Sequence, residues 1–212
     1  MTELVGRDVS RETLSAIEAL GVSRETIERL GVFTDLLRRW APRINLISRN
    51  DIPQLWGRHI LDALQLLPLI PPNTSRATDI GSGAGFPGLI LAIAAAIPFD
   101  LVEADQRKCA FLREAARATN ATVQIHAHRI EALKLLPAPL ITARALAPLG
   151  DLLSLAAPLA APDGFFLFPK GTDAEQELTG AGAAWNMRVE RFPSALAGGG
   201  VILRISEVSP RA

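Results

Sequence analysis

The chain has 212 residues, enough for one domain with a full core and a small extension, and its 49% hydrophobic and 21% charged content is that of an ordinary globular protein. Its 22 basic and 22 acidic side chains cancel, which argues against holding nucleic acid by bulk charge but leaves room for a local basic face. The single cysteine, Cys109, excludes an internal disulfide and a multi-cysteine metal site, and fits a reducing compartment.

The N-terminal stretch MTELVGRDVSRETL is polar and lacks the apolar core of a signal peptide. VSRET then occurs twice, at Val9 to Thr13 and Val22 to Thr26, each time as a helix start. Ser10 and Ser23 can cap the first amides, and Gly21 suits the end of the first helix. Ile27, Leu30, Phe33, Leu37 and Trp40 recur at helical spacing in the second. A third helix is predicted over Asp51 to Leu67, so residues 1–70 read as a helical extension packed on a core of residues 71–212. Trp40 and Trp56 within it read as core or cover rather than base-stacking platforms.

From Arg76 onward short apolar strands alternate with helices: ATDI, a helix over 88–97, DLVE, a helix over 107–119, TVQIH, a short helix near 130–136, LITAR, a helix over 149–160, FFLF and a helix over 173–184. MRVERF and VILRIS follow as a closing hairpin. This alternation predicts an α/β fold with a mainly parallel sheet covered on both faces. The apolar run Leu89 to Ile97 is too short to cross a bilayer, so the expectation is a cytoplasmic protein without a membrane span.

DIGSGAGFPG, Asp79 to Gly88, follows the first strand, where such sheets bind ligands. It fits two frames. Gly83, Gly85 and Gly88 spell the dinucleotide pattern G-x-G-x-x-G, and Asp79, Gly81, Gly83 and Gly85 spell D-x-G-x-G-x-G. Asp79 beside the loop should repel a pyrophosphate and attract a ligand carrying an ammonium and a sulfonium. Glu103, after the next strand, can accept from ribose hydroxyls of either S-adenosylmethionine or a nicotinamide dinucleotide. The methionine part of S-adenosylmethionine is therefore expected against the loop backbone.

The motifs RINLIS (43–48), RHILDA (58–63), DIGSGAGFPG, VEADQRKCAFL (102–112), HRIEAL (128–133), TARALAPL (142–149) and FPKGTDAEQEL (168–178) together resemble the RsmG (GidB) family, bacterial methyltransferases of 16S ribosomal RNA, over residues 43–178. The resemblance implies a class I S-adenosylmethionine-dependent methyltransferase fold, Rossmann-like, with a seven-stranded sheet ending in an antiparallel hairpin. It implies methyl transfer to N7 of a guanine in 16S rRNA of the small subunit, position 527 in standard rRNA numbering; the neutral charge adds the expectation of a shaped target, the small ribosomal subunit or an assembly intermediate, and a monomer is expected. By the same resemblance Gly81, Gly83 and Phe86 contact the cofactor from the loop, Glu103 takes the ribose, Ile130 and Glu131 sit by the adenine, and Arg144 closes the pocket. Arg129, Lys170, His59 and Asn45 are the implied RNA contacts. Ser82, Ala63 and Ala84, where the family often has proline at the last, depart from the pattern without touching a proposed contact.

The chemistry agrees. Guanine N7 has an in-plane lone pair and no proton, so in-line attack needs alignment and dryness rather than a general base; no residue is assigned as catalytic. Cys109 lies within a helical stretch as a small core residue, not a nucleophile. His126 and His128 lack a third ligand nearby, so no metal is expected. Five arginines, Arg38, Arg39, Arg43, Arg49 and Arg58, form a candidate RNA face with Asp51 the one acid among them. The rival readings are a nicotinamide-dependent oxidoreductase, a non-catalytic RNA-binding assembly factor, and a methyltransferase acting on a small molecule or protein.

Overall fold

In the computed structural model, which describes residues 9–196 and 199–211, Ser10 and Ser23 cap helices α1 (Arg11–Ala19) and α2 (Arg24–Trp40). The amides of Thr13 and Thr26 donate to the two serine hydroxyls at 3.1 Å. Gly21 leaves α1 in the left-handed region, at φ +76°, as a C-terminal glycine does. Helix α2 buries Ile27, Leu30, Phe33 and Leu37 along one face. Trp40 packs edge-on against Phe111 and donates its indole N–H to Glu114 at 3.1 Å. Trp56 is also core.

The predicted third helix over 51–67 is instead a broken run. A 3₁₀ segment (Arg49–Gln54) leads through a π turn (Trp56–Ile60) into one α turn, α3 (Leu61–Leu64), and a last 3₁₀ turn (Leu67–Leu69). Pro53 and Pro68 lack the amide that a continuous α-helix needs. Leu55, Trp56, Ile60, Leu61, Asp62, Ala63 and Leu64 are all buried in this stretch. From Ile60 to Leu66 every side chain is buried in succession, rather than along one stripe.

The sheet has seven strands: β1 (Ala77–Ile80), β2 (Phe99–Val102), β3 (Val123–His126), β4 (Ala138–Thr142), β5 (Ala160–Lys170), β6 (Trp185–Pro193) and β7 (Val201–Pro210), in the order β3-β2-β1-β4-β5-β7-β6. Strands β1 to β5 are parallel, and β7 runs antiparallel to both β5 and β6, so the closing hairpin is present. The chain steps outward from β1 to β3 and returns to β4 beside β1, which puts the topological switch point at the carboxyl ends of β1 and β4.

Helices α4 (Gly88–Ala95), α5 (Gln106–Thr119), α6 (Leu149–Ala156) and α7 (Ala174–Ala181) complete the layers. The helix expected near 130–136 shrinks to one 3₁₀ turn, Ile130–Ala132; Pro137 disfavours helix in the residue before it. The helix over 149–160 stops at Ala156, and Pro158 falls in the 3₁₀ turn Ala157–Leu159. The last helix ends at Ala181, flanked by Gly180 and Gly182.

One core joins the extension to the sheet: Ile17, Leu30, Phe33, Leu37 and Trp56 share a cluster with Leu89, Phe99 and Phe111. A second lies under α6 and α7 around Leu153, Phe166 and Leu178. Arg29 pins the extension further. Its guanidinium donates to the carbonyls of Thr119 (2.7 Å), Ile93 (3.1 Å) and Asn120 (3.0 Å) at the ends of α4 and α5. Among the described residues no helix is long and apolar enough to cross a membrane.

Candidate active site at the carboxyl ends of β1, β2 and β4

The glycine loop is a tight turn stitched to β2. Ser82 donates its amide to the Val102 carbonyl at 3.0 Å and its hydroxyl to the Asp79 carbonyl at 3.0 Å, and the Gly85 amide closes onto the Ser82 carbonyl at 2.6 Å. Gly81, Gly83 and Gly85 sit at φ +69°, +54° and +93°, backbone that side chains rarely adopt. A Cβ at Gly81 would come within 2.7 Å of Leu146 Cδ1. The loop therefore offers bare backbone.

Glu103 is bound to that loop directly. Its Oε2 accepts from Gly83 N and its Oε1 from Asp105 N, each at 2.8 Å. Each carboxylate oxygen keeps a further acceptor site, so the half-buried group can still take hydroxyls. Gly81, Gly83 and Glu103 are thus brought together as the spacing implied. Ile130, half-buried, and Glu131, exposed, follow β3 on the 3₁₀ turn.

Two sequence expectations change in detail. Asp79 does not face a ligand across the loop. It is fully buried, its Oδ1 accepts from Thr142 Oγ1 at 2.6 Å, its Oδ2 has no hydrogen-bond partner, and a Cβ at Gly88 would collide with it. Burial pushes its carboxyl up to about 6, against the pull of the Thr142 hydroxyl, of Ser82 and the Gly88 backbone nearby, and of the Arg144 charge. The ring of Phe86 likewise turns inward, stacking on His59 (centroids 5.0 Å apart) and meeting Phe33 edge-on at 5.5 Å. Any contact from Phe86 to a ligand in the loop falls to its backbone.

Arg144, two residues past β4, is held on three sides. Nη1 donates to Asp62 Oδ2 at 2.9 Å, Nη2 to His59 Nδ1 at 2.7 Å, and the guanidinium carbon lies 4.9 Å from the Phe86 ring centroid. Arginine only donates, so His59 Nδ1 must be the bare nitrogen and Nε2 carries the proton, 3.5 Å from Asp51 Oδ2. Burial, then the charge of Arg144, lowers the His59 pKa to about 4 despite Asp51 and Asp62, so the ring is neutral at physiological pH.

A cleft of about 870 Å³ opens beside this arginine, lined by Asp62, Arg144, Leu146, Lys170, Asp173 and Ser194 among others. Lys170 lines it with its ammonium turned inward, donating to Glu177 Oε2 at 2.7 Å and the Ala147 carbonyl at 2.9 Å. The same Glu177 oxygen takes the Leu149 amide at 2.7 Å, which fixes the start of α6. His59 also points both nitrogens at protein groups. Of the four implied RNA contacts, Arg129 and Asn45 are exposed, while His59 and Lys170 are bonded internally. Asn45 belongs to a polar groove of about 510 Å³ with Arg43, Arg49 and Arg107.

Asp62 appeared in the sequence only as part of RHILDA, without a role, and Gln65 not at all, although two polar residues three apart inside the apolar run LDALQLL carried the signal. His126 bonds Asp100 through Nε2 at 2.7 Å and His128 is exposed; among the described residues no three metal-binding side chains converge. Cys109 is buried, with burial as the main cause of its raised pKa, and its thiol donates to the Glu103 carbonyl at 3.2 Å.

A glycine turn after β1, an acid after β2 and a 3-2-1-4-5-7-6 sheet define a class I methyltransferase dependent on S-adenosylmethionine. Solved structures share the fold: the N-methyltransferase NodS from Bradyrhizobium japonicum in complex with S-adenosylhomocysteine (TM-score 0.58, 16% identity, covering 82% of this chain and 97% of that one), and the O-methyltransferase from Bacillus cereus with the same ligand (TM-score 0.57, 15% identity, covering 82% and 90%). The particular family is given by sequence. The model of GidB, rRNA small subunit methyltransferase G, matches residues 26–198. Proteins named ribosomal RNA small subunit methyltransferase G are 56% identical over 89% of this chain and 89% of theirs in Granulibacter bethesdensis, and 54% identical over 95% and 94% in Acidiphilium cryptum. The chain belongs to this family, and is an S-adenosylmethionine-dependent rRNA methyltransferase.

Proposed function

We propose that the protein methylates N7 of a guanine in 16S rRNA, at position 527 in standard numbering, within the small subunit or a precursor of it, acting as a monomer in the cytoplasm. The observation that carries the N7 reading is the commitment of the cleft's bases. Asp62 is bonded to Arg144 and Gln65, and Glu177 to Lys170 and the Leu149 amide; behind the lining, His59 Nδ1 is bonded to Arg144. Of the acids lining the cleft only Asp173, exposed, is without a cation partner among the described residues. A cleft whose inward carboxylates, Asp62 and Glu177, are both ion-paired suits an acceptor with no proton to remove, and guanine N7 is one.

Bound S-adenosylmethionine supplies an electrophilic methyl group. The chain's own residues do the rest: Gly81 and Gly83 admit the ligand against bare backbone, Glu103 accepts from the ribose, and Ile130 and Glu131 flank the adenine. Arg144 stands between that site and the cleft. Arg129 and Asn45 reach toward RNA, Lys170 lines the cleft, and His59 acts behind it by holding Arg144. Alignment and exclusion of water then lower the barrier. The test is transfer of radiolabelled methyl into small subunits from cells lacking the protein, followed by borohydride and aniline. One stoichiometric methyl with chain cleavage at a single 16S site is the expected result; label without cleavage would defeat the N7 assignment.

A further inference from the structure

Gln65 closes α3 inside an apolar run and is 7% exposed, so its two amide N–H groups and its carbonyl must find partners within the protein. They do, and the partners come from distant parts of the chain. Oε1 accepts from the Ala195 amide at 2.7 Å, and Nε2 donates to Asp62 Oδ1 at 2.7 Å and to Ser194 Oγ at 3.2 Å. A backbone amide can only donate and a carboxylate only accept, so this amide orientation follows from its neighbours. Ser194 Oγ in turn accepts from the Leu196 amide at 3.1 Å.

The other oxygen of Asp62 holds Arg144. A continuous chain of bonds therefore runs from the β6–β7 loop, through Gln65 and Asp62, to Arg144 and His59. Its two ends, Ser194 with Leu196 and Arg144, both line the 870 Å³ cleft. An apolar residue of similar volume at position 65 would fill the same space without the cost of desolvating polar groups. A fully satisfied buried network supplies something else: one arrangement of the walls it joins.

We infer that Gln65 and Asp62 are positioning residues for methyl transfer, holding the β6–β7 loop and the Arg144 guanidinium at a fixed separation around the RNA base. The inference rests on the reaction proposed above. The shift of a reacting group by about 1 Å costs on the order of 100-fold in rate, and Gln65 is where the two walls are tied.

The test compares full-length wild type with Gln65→Met, Ser194→Ala and Gln65→Glu. Single-turnover methylation of small subunits, cofactor Kd by calorimetry and thermal midpoints are measured on the same preparations. The expected result for Gln65→Met and Ser194→Ala is a fall in rate, on the order of 100-fold for the former, with cofactor Kd unchanged within about twofold. Gln65→Glu places a second carboxyl against Asp62, near Arg144, His59 and Asp51. The pair retains a proton as pH falls, the protonated group donates to Asp62 again, and the rate recovers relative to wild type between about pH 8 and 6.

Wild-type rates in both Gln65→Met and Ser194→Ala would overturn the role. So would losses that track cofactor affinity, or a Gln65→Glu deficit that acid does not relieve. Should Gln65→Met fail to fold, Ser194→Ala, which leaves Asp62 and Arg144 bonded, decides alone. Wild-type protein that binds cofactor but leaves subunits unlabelled would overturn the reaction itself and this role with it.

Discussion

Two inward-facing side chains, the half-buried His59 and the buried Asp79, titrate over the same pH range in opposite senses. Unfolded, the imidazole titrates near 6.5; folded, burial and Arg144 bring it to about 4. Between these values the unfolded chain takes up a proton the native chain refuses, so the stability tied to His59 is complete above about 6.5 and is lost as pH falls toward 4. Asp79 behaves the other way. Unfolded it titrates at 3.8 and folded at about 6, so its contribution is complete below 3.8 and is lost as pH rises through 6. Urea midpoints of wild type, His59→Gln and Asp79→Asn between pH 4 and 7 separate the two. The stability of His59→Gln relative to wild type should rise as pH falls, and that of Asp79→Asn should rise as pH rises; two differences independent of pH would contradict both shifts. Neither shift was legible in the sequence. Glu103 was, because its spacing from the glycine loop fixes its place at the end of β2. Asp79 has equally plain spacing, yet the sequence does not say that Gly88 and Thr142 close over its carboxyl.

The strand-to-helix turn between β1 and α4 shows how glycines in one motif do different jobs. At Gly88 an added Cβ would overlap Cβ and Cγ of Asp79, which the first residue of α4 cannot escape without moving off the sheet. At Gly81 the obstacle is the end of the flexible Leu146 side chain, and the remaining cost is the left-handed backbone, about 1–2 kcal/mol. Gly88→Ala is therefore expected to lose about 3 kcal/mol or more of stability. Gly81→Ala should fold and instead weaken S-adenosylmethionine binding by about tenfold or more, which calorimetry on the two variants would show. Arg29 ties another pair of elements. It donates to three carbonyls where α4 and α5 end, and Arg29→Ala should cost about 2–3 kcal/mol in chemical denaturation by leaving them unbonded. The alternation of strands and helices was legible because each strand is a short apolar run bounded by turn residues. The stretch from Arg49 to Leu69 was not. Its apolar residues fall too densely for one helical stripe, and Pro53 and Pro68 forced 3₁₀ and π turns that a periodicity argument does not anticipate.

Over the whole molecule the neutral formal charge conceals an uneven surface, and this decides how RNA is met. Of the five arginines expected to form a face, Arg58 is paired with Asp51 at 2.8 Å and Arg38 with Asp35 at 3.5 Å. Arg43 and Arg49, with Arg107, line a polar groove beside Asn45 and have no ion-pair partner among the described residues. The sequence grouped the five by proximity alone. The fold sorts them, because Asp35 lies three residues from Arg38 on α2 and the broken run after Arg49 brings Asp51 to Arg58. Phosphate contacts release counterions, so each cation that meets the backbone adds about 0.7–0.9 to the steepness with which affinity falls on a logarithmic salt scale. Arg43→Ala/Arg49→Ala should weaken binding to small subunits and lower that slope by between about 1 and 2, leaving cofactor affinity unchanged. Arg58→Ala, whose charge is already met by Asp51, should change the slope little. Equal slopes in all three proteins would place the RNA elsewhere. A changed slope for Arg58→Ala alone would mean that the Asp51 pair opens when RNA binds, and would shift the interface toward His59 and the cleft.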